Sequence, residues 1–585
     1  MAVSDGALPN EFVPDDAQPQ WGSDAVADFL RATGVPYISL TPGASFRGLH
    51  DSLVNYSPTS GPHIVMCLHE EHAVALAHGY AKVTGVPMAV ALHSNVGLQH
   101  ATMAIFNAYC DRVPVLMIGA TGPLDAAHRR PWIDWIHTSA DQPSMVRPFI
   151  KWDDTPTSVD ATLESLARAW DISRTEPQGP TYVVLDSSVQ EAALTETPRQ
   201  PRITTGRAVD QPAASAESVR RAAAILREAK NLVIMIGPGS RLDADYERRI
   251  LLAEALGARV ITDLKAGSPF PTRHPAHIGG SGLRVGPAGC DALRGADVVL
   301  ALNWVDVAGA LRSACAPTDV RVISASLDQM ISNGVTRDHH IRPELDVWLT
   351  AAPDYAVAQL LESLKIEPTE PRWEPPVDDA VEQYLDTTPG TITPAQLAAA
   401  VRAAVRDEST TLIRLPLKWQ GDYWPFSGPL DFLGYDGGGG IGSGPGMTVG
   451  AALALRGSGR LPVAILGDGD YMMGVQALWT AAHEKIPFLA VISNNHTYGN
   501  DEDHQERVAI TRGRDASRKW IGLSINDPAP DLALMARAQG LEGIGPITDM
   551  KDLPGALREA VALVKAGNPV VVDVIVHAES KENSQ

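Results

Sequence analysis

The feature that most limits how this chain can fold is a rhythm that occurs three times. Apolar runs of four to six residues alternate with stretches whose apolar residues recur at helical spacing. Runs that short and that apolar are buried on both faces, and an intervening helix brings neighbouring strands into parallel alignment. The first unit carries Val35–Leu40, Ile64–Leu68, Met88–Leu92, Val113–Ile118 and Thr181–Leu185. Between its second and third runs, EHAVALAHGYAKVTG keeps Ala and Val at helical spacing and stops at Gly85. The second unit repeats the pattern with Leu232–Ile236, Arg259–Thr262, Val298–Leu302 and Val320–Ala325. The third has Thr411–Leu415, Val463–Leu466, Leu489–Ile492 and Val570–Val574. The expected fold class is α/β, with three doubly wound parallel-sheet domains.

Two Pro-containing breaks separate the units: TETPRQPRITTGRAVDQPAAS, and EPTEPRWEPPVDD at 367–379. The organisation expected is an N-terminal arm (1–19), a first domain (20–190), a linker (191–215), a central domain (216–355), a second linker (356–390) and a third domain with a short tail (391–585). A chain of 585 residues exceeds one hydrophobic core, in keeping with several domains. A net charge of −21 disfavours nucleic acid and anionic lipid as partners. No apolar run approaches the roughly 20 residues of a membrane helix, and the N-terminus carries no secretory pattern. The four cysteines are scattered without metal-ligand spacing. A cytoplasmic protein with free thiols is expected.

The sharpest motif is VAILGDGDYMMGVQALWTAAHEKIPFLAVISNNHTYG in the third unit. A strand runs into Gly467-Asp468-Gly469, where the glycines let the backbone turn and approach a ligand. The next segment reads as a helix whose N-terminal N–H groups suit a diphosphate. A second strand ends at Asn494-Asn495, and Asn495 lies 27 residues after Asp468. Strand, crossover helix and strand put those ends side by side at the carboxyl edge of the sheet. A carboxylate, an amide oxygen and a main-chain carbonyl, with phosphate and water oxygens, complete the octahedron Mg²⁺ requires.

GDG followed by a double Asn at this separation resembles the thiamine-diphosphate motif of the acetolactate synthase and benzoylformate decarboxylase superfamily, and ALWTAA…IP…VI.NN.TYG is particularly similar to benzoylformate decarboxylase. The resemblance implies pyrimidine-binding, central and diphosphate-binding domains, with thiamine diphosphate and Mg²⁺ as cofactors. It makes Asp468 and Asn495 side-chain Mg²⁺ ligands, with Thr497 giving its carbonyl. In YDGGGGIGSGPGMTVGAALA it implies that Gly439 accepts from the 4′-amino group and that Ile441 is the apolar wedge bending the cofactor. In CLHEEHAVALAHGYAKVTG, Glu70 stands nine residues before the Gly of the GYA triplet and matches the family's activating glutamate. Its carboxyl, held against N1′ of the aminopyrimidine, would favour the imino tautomer, whose 4′-imine takes the thiazolium C2 proton. Alone, Glu70 would be an ordinary first-turn helix charge.

His93-Ser94 matches the LHS of benzoylformate decarboxylase, which makes His93 a candidate for proton transfer. Where that family has Pro-Gly-Ser, this chain reads Thr41-Pro42-Gly43-Ala44-Ser45, so the pocket serine is expected to be missing, with Ser45 displaced by one. After the double Asn, GNDEDHQER puts polar groups near the pocket mouth, and Glu502 is a candidate proton relay. His277, in HPAHIGG, is a weaker candidate by the same resemblance.

The leading expectation is a carbon–carbon lyase or carboligase acting beside a carbonyl on a small molecule, either a 2-oxo acid decarboxylase or an acetolactate-synthase-like enzyme. The alternative is a 2-hydroxyacyl-CoA lyase, for which Arg129, Arg130 and Arg284 are candidate polyanion contacts. A non-catalytic cofactor-binding paralogue is a remote third. Because Glu70 and Asp468 lie on different units, which in this superfamily come from different subunits, the resemblance implies a homodimer or homotetramer with the site at the subunit interface.

Overall fold

The computed structural model describes residues 18–203, 211–279, 282–328, 344–367, 373, 390–435 and 437–577. The expected arm lies outside them except for residues 18 and 19, as do the last residues of the tail and most of the second Pro-rich break.

The first sheet holds β1 (Tyr37–Leu40), β2 (His63–Met66), β3 (Met88–Leu92), β4 (Val115–Thr121), β5 (Trp152–Asp154) and β6 (Thr181–Asp186), in the order β2-β1-β3-β4-β6-β5. The central sheet holds β7 (Leu232–Ile236), β8 (Arg259–Thr262), β9 (Val298–Leu302), β10 (Arg321–Ala325) and β11 (Val347–Leu349), in the order β11-β10-β9-β7-β8. The third holds β12 (Thr410–Leu412), β13 (Leu461–Gly467), β14 (Leu489–Asn494), β15 (Glu542–Ile547) and β16 (Val570–Ile575), in the order β12-β13-β14-β16-β15. The strand pairs are parallel throughout, so ligand-facing loops gather at one edge of each sheet.

Burial explains the unbroken apolar runs. In β3, Met88, Val90 and Leu92 enter one core while Ala89 and Ala91 enter another on the opposite face. The first of these cores also takes Met447, Leu466 and Ile492 from the third domain, so the first and third domains share a continuous interior. The helices Glu70–Thr84 and Gly444–Ala454 form the seam. A Cβ on Gly450 would lie 1.8 Å from the Leu76 carbonyl oxygen, and one on Gly79 would lie 2.2 Å from that of Met447. Only glycine permits that approach.

Two boundaries differ from expectation. The helix Pro353–Leu364 runs past residue 355 and puts Ala356, Val357, Leu360 and Leu361 into the central core, so the second linker starts later than residue 356. The described start of the first linker is packed onto the first domain: Leu194 N–H donates to the Gln20 carbonyl (2.8 Å) and Gln200 Nε2 to that of Ala25 (2.9 Å). No described helix is long and apolar enough to cross a membrane.

Candidate active site

At the carboxyl edge of the third sheet, β13 and β14 are neighbours, with Gly467 in register with Ser493. That pairing sets Asp468 beside the loop that follows Asn494. Asn494 is committed: its Nδ2 donates to Asp573 Oδ1 (3.0 Å) and its Oδ1 accepts from His496 N–H (3.1 Å). The adjacent Asn495 is exposed, and its Oδ1 accepts only a long bond from Thr497 N–H (3.3 Å). The Thr497 carbonyl takes one hydrogen bond from Gly499 N–H (2.9 Å), which leaves a second lone pair.

Asp468 is buried, with Oδ1 accepting from Gly469 N–H (2.9 Å). Burial pushes its carboxyl above the ordinary aspartate range, opposed by the nearby backbone N–H groups of Gly469, His496 and Thr497. None of these hydrogen-bonds Oδ2, which is buried without a partner. A buried, unpartnered carboxylate oxygen costs free energy unless a cation meets it, and with an amide and a carbonyl alongside it makes an all-oxygen set suited to Mg²⁺.

Asp470, two residues on, links this turn to the glycine-rich segment. Its Oδ1 accepts from Gly442 N–H (2.6 Å) and Gly444 N–H (3.3 Å), and its Oδ2 from Arg414 Nε (3.1 Å). Side chains on Gly437, Gly438 and Gly440 would collide with Asp111, Asn107 and Met103, which recur at four-residue spacing along the helix Ser94–Cys110 and its C-cap. Gly439 differs: its φ is +67° and the space where a Cβ would stand is open. Half-buried Ile441 follows it. An exposed backbone turn with no side chain suits a flat ring pressed against it.

The first sheet contributes a second cluster at its own carboxyl edge. Glu70 begins the helix after β2 and is buried. Its Oε2 is 3.0 Å from His100 Nδ1. His93 follows β3; its Nδ1 is 2.8 Å from Ser45 Oγ, and its ring meets His137 edge-on at 4.8 Å between centroids. Gly43 makes room for it, since a Cβ there would stand 2.5 Å from the ring. Burial first, then His137, holds the His93 imidazole below its usual range, with Glu70 opposing. The ring is therefore neutral near pH 7. The sequence comparison left this pocket without its serine. In the fold the Ser45 hydroxyl still reaches His93, because residues 44–46 turn as a short 3-10 helix that carries it there.

Glu502 Oε1 accepts from Thr497 Oγ1 (2.6 Å), so its carboxyl braces the loop that carries the candidate metal ligands. His277 is half-buried in the central domain with Nε2 2.9 Å from Thr262 Oγ1. Within one chain, Asp468, Asn495, Thr497, Gly467, Gly469 and Glu502 come together, and Glu70 and His93 form a separate group with Ser45, His100 and His137. None of the interactions of Glu70 reaches Asp468. His100, His137 and Asp470 were not singled out from the sequence; of these, only Asp470 carried a local signal, as the second acid of GDGD.

Family models of thiamine pyrophosphate enzymes match the chain in order. The N-terminal TPP binding domain covers residues 20–145, the central domain 219–346 and the C-terminal TPP binding domain 417–574. The chain is 26% identical over 490 residues to the acetolactate synthase isozyme 1 large subunit of Escherichia coli, covering 82% of each. It is 27% identical over 530 residues to benzoylformate decarboxylase of Pseudomonas aeruginosa, covering 87% of this chain and 91% of that one. In fold it is similar to the thiamine diphosphate-dependent 4-hydroxybenzoylformate decarboxylase of Rhodococcus jostii RHA1, with a TM-score of 0.76 over 96% of this chain and 99% of that one, at 24% identity. Three domain models in sequence, each falling on one of the three parallel sheets, show that the chain belongs to the thiamine pyrophosphate enzyme family, in the superfamily of acetolactate synthase and benzoylformate decarboxylase, and is a thiamine-pyrophosphate-dependent enzyme.

Proposed function

We propose that the enzyme is Mg²⁺-dependent and breaks or makes a carbon–carbon bond beside a carbonyl, with a 2-oxo acid as substrate, as a decarboxylase or an acetolactate-synthase-like carboligase. The observation that carries the metal dependence is the buried, unpartnered Oδ2 of Asp468 beside Asn495 and the Thr497 carbonyl. In this reading those three oxygens hold Mg²⁺, while Gly467 and Gly469 let the backbone close on the diphosphate. Gly439 and Ile441 seat the aminopyrimidine. When bound, thiamine diphosphate supplies a nucleophilic thiazolium carbon and an electron sink for the substrate carbonyl. Glu70 holds the proton at N1′. Neutral His93, oriented by Ser45, exchanges a proton with the substrate oxygen or the carbon that loses CO₂. Glu502 keeps a carboxyl beside the metal loop, from where it relays protons to solvent.

The site is proposed to form between two copies of the chain. What supports this, beside the resemblance, is that large apolar side chains stand exposed on the segments that follow the strands of both clusters. Trp132 and Trp135 follow β4 in the first domain, and Ile510, Trp520 and Ile521 follow β14 in the third. The acyl-CoA lyase reading has less support, because two of its three candidate arginines are engaged: Arg130 with Asp134 (2.9 Å), and Arg129 with the carbonyls of Pro123 and Leu124, while Arg284 is exposed. The test is a panel of 2-oxo acids, benzoins and 2-hydroxyacyl-CoA esters with the purified protein, Mg²⁺ and thiamine diphosphate. CO₂ release from a 2-oxo acid is the expected result. Thioester cleavage without CO₂ release from any 2-oxo acid would overturn the reading.

A further inference from the structure

Glu70 is held in a way that its own position on the helix Glu70–Thr84 does not explain. The holding groups come from the neighbouring helix Ser94–Cys110, three residues apart and hence on one face. Gly97 lies against the carboxyl: a Cβ there would stand 3.0 Å from Oε1 and 3.1 Å from Cγ, so only glycine leaves Oε1 uncovered. His100 takes the other oxygen, with Nδ1 3.0 Å from Oε2. The His100 ring is itself fixed, stacked on His69 at 4.8 Å between centroids and 18° between planes. His69 is in turn anchored, because its Nδ1 accepts from Glu71 N–H (3.2 Å), and burial with His100 beside it holds it below the usual imidazole range. Near-parallel rings aim their in-plane lone pairs side by side, so His69, Glu70 and His100 suit a hydrogen-bonded stack better than a shared metal.

We propose that His100 is the positioning residue of Glu70: its Nδ1–H holds one carboxylate oxygen so that the other is presented to the aminopyrimidine. The inference rests on the reading of Glu70 as the activating carboxyl. A hydrogen bond to a carboxylate fixes its rotamer and stabilises its charged form, and both set how readily it shares a proton with a ring nitrogen. His100 does not reach the diphosphate end of the site, so its loss acts on activation and leaves retention of the cofactor intact.

The test uses the full-length protein loaded with thiamine diphosphate and Mg²⁺ and no substrate. The thiazolium C2 proton is followed as it exchanges with D₂O by quenched NMR, and cofactor affinity is measured by calorimetry. H100F keeps a flat ring over His69 and removes the N–H; H100Q keeps an N–H and removes the ring. His100 is half exposed, so the fold accommodates both variants, as thermal unfolding will verify. Exchange in H100F is expected to fall about tenfold to a hundredfold, the span that a hydrogen bond to a charged group converts to, with affinity near wild type. H100Q is expected to recover most of the rate. Wild-type exchange in H100F, or H100Q slower than H100F, overturns the proposal. E70Q is measured alongside: slow exchange there with normal exchange in H100F removes only the role of His100, whereas normal exchange in E70Q removes the reading of Glu70 itself.

Discussion

Replacing Asp468 with Asn should separate the stability of the metal-free protein from the stability the metal adds. Asparagine keeps the acceptor that Gly469 N–H uses and removes a charge the buried site disfavours. The metal-free variant should therefore unfold no earlier than wild type, with a difference within about 1 kcal/mol. With thiamine diphosphate and Mg²⁺ at a hundred times the wild-type dissociation constant, binding stabilises the native state by about 2.7 kcal/mol. A charged ligand contributes about 1.5–3 kcal/mol, so its loss weakens binding up to about a hundredfold. At the same concentrations the variant then gains only about 0.4 kcal/mol. One kcal/mol shifts the midpoint of a domain of roughly 190 residues by about 2–4 °C, so wild type should gain about 5–10 °C and the variant about 1 °C. Scanning calorimetry with and without the cofactor pair reads this directly. A variant that rises as far as wild type would refute the assignment of Oδ2 as a metal ligand.

Three further outcomes follow from the geometry. His93→Ala should lower turnover about a hundredfold or more at unchanged cofactor affinity. The acid limb of the wild-type kcat/KM profile, which reports the neutral ring, should lie below the 6.5 of free imidazole and be absent in the variant. Asp573, buried and pushed up to about 6 chiefly by burial, is protonated more readily folded than unfolded, so its contribution is present below about pH 4 and lost as pH rises to about 6. Asp573→Asn should thus raise stability at pH 8 by on the order of 2 kcal/mol and leave it unchanged at pH 4, as read by denaturant midpoints. Gly450→Ala would place a methyl 1.8 Å from the Leu76 carbonyl oxygen and should destabilise the seam between the first and third domains by about 3 kcal/mol or more, measured by urea unfolding.

The central strands were legible because burial on both faces demands unbroken apolar runs, as in β9 and β13. The edge strands β5, β11 and β15 were not. Trp152–Asp154 is half exposed and partly acidic, and Glu542–Ile547 carries two glycines and a proline, so neither has the pattern that a buried strand requires. The helix Pro353–Leu364 extends beyond the expected boundary at 355 because AVAQLL is apolar at helical spacing, and the polar, Pro-rich composition of a linker begins only at residue 367. At the site, Glu70, Asp468 and Asn495 stood out because strand ends on a parallel sheet place them predictably. His100 lies thirty residues from Glu70 and meets it only through helix packing, which no local pattern records. The contact of Ser45 with His93 depends on the tight turn at residues 44–46, which spacing along the sequence does not register.

The most direct test of a site shared between two copies is subunit complementation. E70Q and D468A proteins, each inactive alone, are mixed under conditions that let protomers exchange. Random pairing makes half the dimers mixed, and each mixed dimer has one intact site, formed by Glu70 of one protomer and Asp468 of its partner. Activity should return to about a quarter of wild type. If the mixture stays as inactive as its components while mass spectrometry shows mixed dimers, Glu70 and Asp468 do not act across the interface.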